Sequence, residues 1–147
     1  MSLSIEILPR AELKDNWKEK IIQKITDIFI SDVNDDEYFR VFIGEINLFD
    51  FWKSNKSLCS GFFTDEDYID GLKNLDKIDV KMFLNNFKDI PYTIILESKP
   101  TRKENELQYM ILFTKVISEI TKGIILFDQS FLGYKSNVVY LPDDLMP

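Results

Sequence analysis

The sequence predicts an α+β fold, a two-layer sandwich in which long helices pack on one face of a mainly antiparallel sheet. Three observations support this prediction. Short segments of period-two or continuous apolar character alternate with two long segments of helical period. Hydrophobic residues make up 45% of the chain, and 12 Phe, 6 Tyr and 2 Trp supply bulky core material. A chain of 147 residues is the usual size of one domain, so we expect a single domain over residues 1–147.

The first two elements follow from the spacing of apolar residues. Ser2–Leu8 alternates between polar and apolar residues, which predicts a half-buried strand with Ser4 and Glu6 on its solvent side. Pro9 ends this strand. From there apolar residues recur every three or four positions, which predicts an amphipathic helix over Arg10–Ile30.

The middle of the chain is predicted to be mixed. Ser31–Glu37 is polar and acidic and is typical of a turn. Tyr38–Phe49 is rich in aromatic and β-branched residues and predicts a second strand. Phe51–Gly61 has no clear period, so we expect a connection. Thr64 is placed to cap a helix over Asp65–Leu75.

The remaining elements complete a ferredoxin-like order, in which two split βαβ units flank a helical insertion. A short helix is expected from Asp79 through Phe87, and Tyr92–Glu97 predicts a central strand that is covered on both faces. A second long helix is expected over Lys103–Thr121 and a short strand over Ile124–Phe127. Asn137–Leu141 is predicted to be an edge strand.

Charge and composition exclude several kinds of function. The net charge of −7 disfavours direct binding of nucleic acid and favours basic partners. His is absent, which removes the commonest general base and metal ligand. The single cysteine, Cys59, cannot form an internal disulfide, which suits a reducing compartment. We therefore expect a cytoplasmic protein with no cofactor, no metal and no membrane segment, which acts by binding another macromolecule.

One acidic cluster starts like a calcium-binding loop. Asp32, Asp35 and Asp36 lie close together, and the first residues fit the spacing of an EF-hand. Such a loop needs Gly at its sixth position and Glu at its twelfth, where this chain has Glu37 and Ile43. We therefore interpret the cluster as a solvated acidic turn that is available to a partner.

A second acidic cluster lies where a short helix is expected to begin. It comprises Asp65, Glu66, Asp67 and Asp70. Acidic residues in a first helical turn cap free amides and complement the helix dipole, so stability alone accounts for them. The two clusters would form one acidic surface if the fold brought them close together.

Glu97 and Lys99 form the one pattern with an enzymatic interpretation. Magnesium-dependent nucleases of the restriction-enzyme type carry Glu-x-Lys on a strand together with an upstream Asp, and the carboxylates hold Mg²⁺. The upstream candidates, Asp79 and Asp89, lie in a region that is predicted to be helix and turn rather than strand. The nuclease hypothesis remains open as an alternative.

Small size, acidity and the segment T-I-I-L-E-S-K … L-Q-Y-M-I-L-F-T-K-V-I-S-E-I-T-K-G-I-I-L-F-D give the chain a resemblance to the immunity proteins of bacterial toxin systems, such as those that protect against contact-dependent growth inhibition toxins. The resemblance implies an acidic inhibitor that binds a basic, nuclease-type toxin domain. The expected charged contacts are Asp32, Asp35, Asp36, Asp65, Glu66, Asp67 and Asp70, and the expected apolar anchors are Trp52 and Phe63. A further alternative is a homo-oligomeric regulatory or structural domain that pairs through the Asn137–Leu141 strand.

Overall fold

The computed structural model describes residues 2–55, 65–81, 90, 92–100 and 103–145. Within these residues the strands are β1 (Ser4–Leu8), β2 (Phe29–Asn34), β3 (Tyr38–Ile43), β4 (Ile46–Ser54), β5 (Thr93–Ser98) and β6 (Ile124–Phe127). The helices that lie wholly within them are α1 (Trp17–Lys24), α2 (Glu66–Asp70) and α3 (Glu104–Thr121). All six strands form one sheet, and every neighbouring pair is antiparallel. The predicted α+β class and antiparallel sheet are confirmed.

The strand order is β2-β3-β4-β5-β1-β6. β5, α3 and β6 form a split βαβ unit around β1, as predicted. The other unit is wider than predicted, because β2, β3, β4 and β5 form an antiparallel meander that places three strands between β2 and β1. As a result β2 lies at one edge of the sheet, far from the strand that precedes it in the chain.

Aromatic packing joins α1 and α3 to one face of the sheet. The Trp17 ring of α1 meets Phe39 and Phe51 edge-on, with ring centroids 5.1 Å apart in both pairs. Phe113 of α3 meets Phe49 in the same way at 5.1 Å. All five side chains are buried, and each contributes roughly 1.5–3 kcal/mol through removal from water. This face is the main core of the two-layer arrangement.

The opposite face is also covered over β1 and β6, and Ile95 of β5, which points to the same face, is buried as well. Leu8 and Ile124 pack there against Leu72 and Val139, which come from segments outside the sheet. Glu6 points to this face and is 1% exposed. The prediction that Glu6 faces solvent is therefore wrong, because a period-two pattern cannot tell whether a later segment covers the polar side of a strand.

The predicted helix over Arg10–Ile30 is too long. The structure has only α1 within this range, and the buried residues Ile25 and Ile28 follow its end. Phe29 then begins β2 rather than the last turn of a helix. Apolar residues at three- and four-residue spacing can reach the core without helical backbone, and the run of β-branched and aromatic residues that follows favours a strand.

The hairpin region contains more strand than predicted. The turn predicted at Ser31–Glu37 is confined to residues 34–37, because the preceding residues belong to β2. The strand predicted at Tyr38–Phe49 is two strands, β3 and β4, separated by a tight turn at Gly44 with φ +55°. β4 also continues into the predicted connection Phe51–Gly61, whose residues from 56 onward lie outside the described residues.

The helical insertion is shorter than predicted in its first part. The helix predicted at Asp65–Leu75 consists of α2 and a separate 3-10 turn at Leu75–Lys77. Asp65 caps α2, whereas the predicted cap, Thr64, lies outside the described residues. Of the helix predicted from Asp79 through Phe87, residues 80 and 81 are helical, and 82–89 lie outside the described residues.

Three predicted elements are confirmed to within one residue at either end. These are the strand Tyr92–Glu97, the helix Lys103–Thr121 and the strand Ile124–Phe127, which correspond to β5, α3 and β6. α3 is the longest helix in the described part of the chain, at 18 residues. Neither it nor any other helix there has the length and apolar character needed to cross a bilayer.

Candidate functional site

The acidic turn between β2 and β3 is a tight four-residue turn. Glu37 N–H donates to the Asn34 carbonyl at 2.8 Å, and the two central residues, Asp35 and Asp36, have φ of +38° and +61°. Positive φ at both central positions is the geometry of a type I′ hairpin turn. The Asp32 carboxylate accepts the Asp36 N–H at 3.1 Å. The turn therefore presents two adjacent exposed carboxylates at its tip.

Residues 27–37, which we call the acidic edge, carry five carboxylates and neither Lys nor Arg. One cation approaches from α1, where Lys18 Nζ lies 3.9 Å from Asp32 and 3.5 Å from Asp36. Tyr109 of α3 donates its hydroxyl to Asp27 at 2.6 Å, and this hydrogen bond raises the pKa of Tyr109. A second cation, Lys53 of β4, lines a cavity together with Asp35, Asp36 and Glu37. Because Lys18 and Lys53 offset at most two of the five charges, the acidic edge keeps a net negative charge.

The strand within the acidic edge is also apolar at its surface. Phe29 and Val33 of β2 are 65% and 49% exposed. Phe29 lies opposite Phe42 of β3 in the register, with ring centroids 6.5 Å apart. β2 contains neither Lys nor Pro, two residues with which proteins commonly protect exposed sheet edges. Exposed apolar side chains beside carboxylates are typical of a protein-binding surface.

The other edge of the sheet is closed within the described residues. Ile125 of β6 exchanges two backbone hydrogen bonds with Tyr140, at 2.8 and 3.1 Å. On its other side the same segment bonds Lys73, since Val139 N–H donates to the Lys73 carbonyl at 3.0 Å. The predicted edge strand Asn137–Leu141 is thus a bridged segment with both sides paired. It does not offer the free edge that the self-pairing alternative requires.

The second acidic cluster lies far from the first. Asp65 accepts hydrogen bonds from the backbone N–H groups of Asp67 and Tyr68 at 3.0 and 3.3 Å, so it caps α2, whose first turn also contains Glu66. Tyr68 packs against the apolar cluster over β1 and β6. β6 and β2 stand five strand spacings apart, about 24 Å. The two clusters therefore do not form one acidic surface, and Asp70, although exposed, belongs to the distant one.

Trp52, a predicted apolar anchor, lies in β4 and not in an irregular connection. It is half-buried and stacks on Tyr38, with centroids 5.6 Å apart and an interplanar angle of 17°. The next residue, Lys53, donates its N–H to the Glu37 carbonyl at 2.9 Å. Trp52 therefore lies beside the acidic turn, and part of its surface is available there. Phe63, the other predicted anchor, lies outside the described residues.

A cavity of about 360 Å³ lies against the acidic turn. Its lining residues are Asp35, Asp36, Glu37, Lys53, Asn55 and Tyr92. The Lys53 ammonium lies 5.1 Å from the centre of the Tyr92 ring. Tyr92 is held by the Leu13 N–H, which donates to its hydroxyl at 2.9 Å, and burial raises the pKa of Tyr92. Three carboxylates and the Lys53 ammonium line the cavity, which leaves a net negative charge suited to one further cationic side chain.

The Glu97 and Lys99 pair has a strand partner that the sequence did not indicate. Asp50 of β4 lies directly opposite Glu97 of β5, and Lys99 Nζ is 3.3 Å from Asp50 Oδ2. Tyr38 donates its hydroxyl to the same oxygen at 2.6 Å, and Arg40 Nε lies 4.0 Å from Oδ1. Asp50 is hard to identify from sequence because it stands inside an aromatic run and not next to another carboxylate.

In this second group Asp50 Oδ2 is bound by Tyr38 and Lys99, whereas Asp50 Oδ1 is buried and accepts no hydrogen bond from the described residues. Burial and the hydrogen bond to Asp50 raise the pKa of Tyr38 to about 12. Nowhere in the described part of the chain do three His, Cys, Asp or Glu side chains converge as metal ligands. Of the upstream candidates, Asp79 is not in a strand, and Asp89 lies outside the described residues. The group is an ion-paired cluster on the sheet face that α1 and α3 leave open.

Comparisons with known proteins do not indicate a function for this chain. No protein-family model, no curated protein and no solved structure matches the chain. Two features of the described residues therefore carry the functional argument. They are the acidic edge with its cavity and the ion-paired cluster around Asp50.

Proposed function

We propose that this chain is an acidic immunity protein, an inhibitor that binds and neutralises a cognate basic toxin domain of the nuclease type. The observation that carries the proposal is the acidic edge, where five carboxylates with no interspersed cation adjoin the exposed side chains of Phe29 and Val33. Carboxylates attract a basic surface over long distances, and apolar side chains supply affinity once water is expelled. The two properties occur together on one strand and its turn.

The cavity beside the turn supports the same function at closer range. A Lys or Arg side chain of the partner entering it would meet the carboxylates of Asp35, Asp36 and Glu37. Ion pairs with carboxylates as exposed as these contribute up to about 1 kcal/mol each. One seated cation would therefore anchor the orientation that long-range attraction alone leaves open.

Inhibition follows from competition for the same charges. A nuclease binds the phosphate backbone of its substrate through a basic surface. When the acidic edge occupies that surface, phosphate groups are excluded from it. The inhibitor needs no reactive group for this effect, only stable display of its carboxylates.

Co-expression tests the proposal. A toxin gene is sought beside the gene for this chain, the basic C-terminal domain that it encodes is expressed in a bacterium with and without the chain, and growth is measured. We expect growth to stop with the toxin domain alone and to recover with both proteins. An inactive toxin domain serves as the control for expression load. Absence of both growth recovery and a complex of the purified proteins would refute the proposal.

A second candidate function is magnesium-dependent cleavage of nucleic acid by Asp50, Glu97 and Lys99. The observation in its favour is the register, which places Asp50 opposite Glu97 with Lys99 beside it. Two protein carboxylates are enough to bind Mg²⁺ when water molecules complete its coordination shell. Against it stand the three groups already bound to or paired with the Asp50 carboxylate.

Purified chain incubated with Mg²⁺ and plasmid DNA or RNA separates the two functions. The inhibitor proposal predicts no cleavage above that of the Glu97→Gln variant. Cleavage by the unmodified chain that both Glu97→Gln and Lys99→Met abolish would establish the nuclease function instead.

A further inference from the structure

We infer that β2 binds its partner by strand addition, in which an extended basic segment pairs with the free edge of β2 and becomes a seventh strand of the sheet. The inference rests on the proposed function in one respect, because it takes the basic character of the partner from that function. It goes beyond that function in naming the mode of recognition, which is backbone pairing along one strand.

The backbone of β2 is available for this pairing. In an edge strand, alternate residues direct their N–H and C=O groups away from the sheet. β2 is six residues long, contains no Pro that would remove a donor, and is unpaired on its outer side within the described residues. Its protective features are the irregular register between Asp32 and Asn34 and the charge of Asp32, which a basic strand would pair with rather than avoid. At the opposite edge, by contrast, Ile125 of β6 bonds the backbone of Tyr140, whose segment in turn bonds Lys73.

The side chains of β2 specify what an added strand should carry. Phe29 and Ser31 point to the open face of the sheet, where an apolar side chain of the incoming strand would cover the 65% exposed Phe29. Asp32 points to the face of α1, where its single cation, Lys18, is shared with Asp36. An added strand would therefore alternate apolar residues with Lys or Arg.

A second copy of this chain fits the edge poorly. An antiparallel pairing of two β2 strands centred between Ser31 and Asp32 would bring the acidic turn of each copy near Asp27 of the other. Each copy would contribute five carboxylates, with Lys18 and Lys53 as the nearby cations. Like charges brought together across an interface are destabilising. Charge complementarity therefore selects a basic strand as the occupant.

The test uses a blocked eight-residue peptide of alternating Lys and Val, with affinity measured by calorimetry and contact located by hydrogen exchange. We expect the peptide to bind and to slow exchange in residues 29–34. The same peptide with two adjacent central amides methylated has an obstructed backbone on both of its edges, while its charge is unchanged. We expect it to bind at least about tenfold more weakly.

Two variants of the chain locate the contact independently of net charge. Phe29→Lys and Ile46→Lys each add one cation at an exposed apolar site, since these residues are 65% and 57% exposed, but only Phe29 lies on the free edge. We expect Phe29→Lys to weaken binding of the Lys-Val peptide at least about tenfold, and Ile46→Lys to weaken it no more than about twofold.

Several results would overturn the inference. The first three are that the Lys-Val peptide does not bind, that the methylated peptide binds as tightly as the unmethylated one, or that Phe29→Lys and Ile46→Lys weaken binding equally. The other two are that the peptide slows hydrogen exchange only outside residues 29–34, or that the chain self-associates with residues 29–34 protected from exchange. The proposed function fails separately. If the toxin domain is neutralised while residues 29–34 exchange freely in the complex, only strand addition is wrong, whereas a toxin domain that does not bind refutes the function itself.

Discussion

Asp36 adopts a backbone conformation that type I′ hairpin turns usually give to Gly, and Asp35 stands at the first central position, where Asn, Asp and Gly are common. The φ values of Asp35 and Asp36 are +38° and +61°. For residues other than Gly this region costs up to roughly 1–2 kcal/mol, although Asp tolerates it better than most. Two like charges also stand side by side at the tip. Backbone strain that is retained in a native fold is typical of functional sites. In this chain the strained turn keeps two carboxylates exposed.

Asp36→Gly should therefore raise the free energy of unfolding by about 0.5–1 kcal/mol, because Gly adopts positive φ without steric cost and the repulsion from Asp35 is removed. Urea unfolding measures the change. Asp36→Ala is the matched control, since it removes the charge but keeps the strain, and it should gain less. Equal gains for the two variants would show that charge alone is responsible.

Tyr38 gives the stability a defined dependence on alkaline pH. Burial and the hydrogen bond to Asp50 raise its pKa in the folded state from 10.0 to about 12. Between these values the unfolded chain loses the phenolic proton first, so the contribution of Tyr38 is complete below pH about 10 and is lost as the pH rises towards 12. Thermal midpoints measured across this interval should fall less for Tyr38→Phe than for the unmodified chain. Parallel curves would contradict this assignment.

Among the helices and strands, β5, α3 and β6 could be predicted because the residue pattern of each segment favours one kind of secondary structure. A continuous apolar run of four or more residues between turn signals indicates a buried strand, and a long amphipathic run indicates a helix. The segment Ile25–Asn34 was not predictable in the same way. Its apolar spacing fits a helix, its residue types fit a strand, and pairing with β3, a tertiary contact, decides between them.

The end of α3 carries a second test at the scale of helices and strands. A Cβ on Gly123 would lie 2.8 Å from Ile7 Cγ2 and 2.9 Å from the Leu8 carbonyl oxygen, whereas the left-handed position belongs to Lys122, with φ +52°. Gly123→Ala should lower the free energy of unfolding by about 1–3 kcal/mol, and Lys122→Gly should raise it by up to about 1 kcal/mol. Urea unfolding of the two variants checks both signs. A neutral Gly123→Ala would mean that β1 and α3 pack less closely than described.

At the scale of the whole molecule, the sequence indicates both acidic clusters but not the distance between them. Their separation depends on the insertion of β1 between β5 and β6, which places α2 and the acidic edge at opposite ends of the sheet. The same non-local order brings Asp50 opposite Glu97, 47 residues later in the chain. Composition predicts an acidic binding protein, and only the strand order identifies which acidic residues act together.

Because the two clusters are separated, their roles can be measured independently. Asp35→Asn with Asp36→Asn changes the net charge from −7 to −5, and so does Asp67→Asn with Asp70→Asn at the other end of the sheet. Asn retains the left-handed turn at the first pair, and the cap residue Asp65 is untouched by the second. Any difference in partner binding between the two double variants therefore depends on where the carboxylates lie on the surface and not on the total charge.

The assignment of the acidic edge as the partner-binding surface is tested by the association rate constants of these two double variants with the basic toxin domain, measured at increasing salt. We expect Asp35→Asn with Asp36→Asn to slow association about tenfold at low salt and to weaken its salt dependence, and Asp67→Asn with Asp70→Asn to change the rate constant no more than about twofold. Equal slowing by both variants, or association that does not depend on salt, would contradict the assignment of the acidic edge as the partner-binding surface.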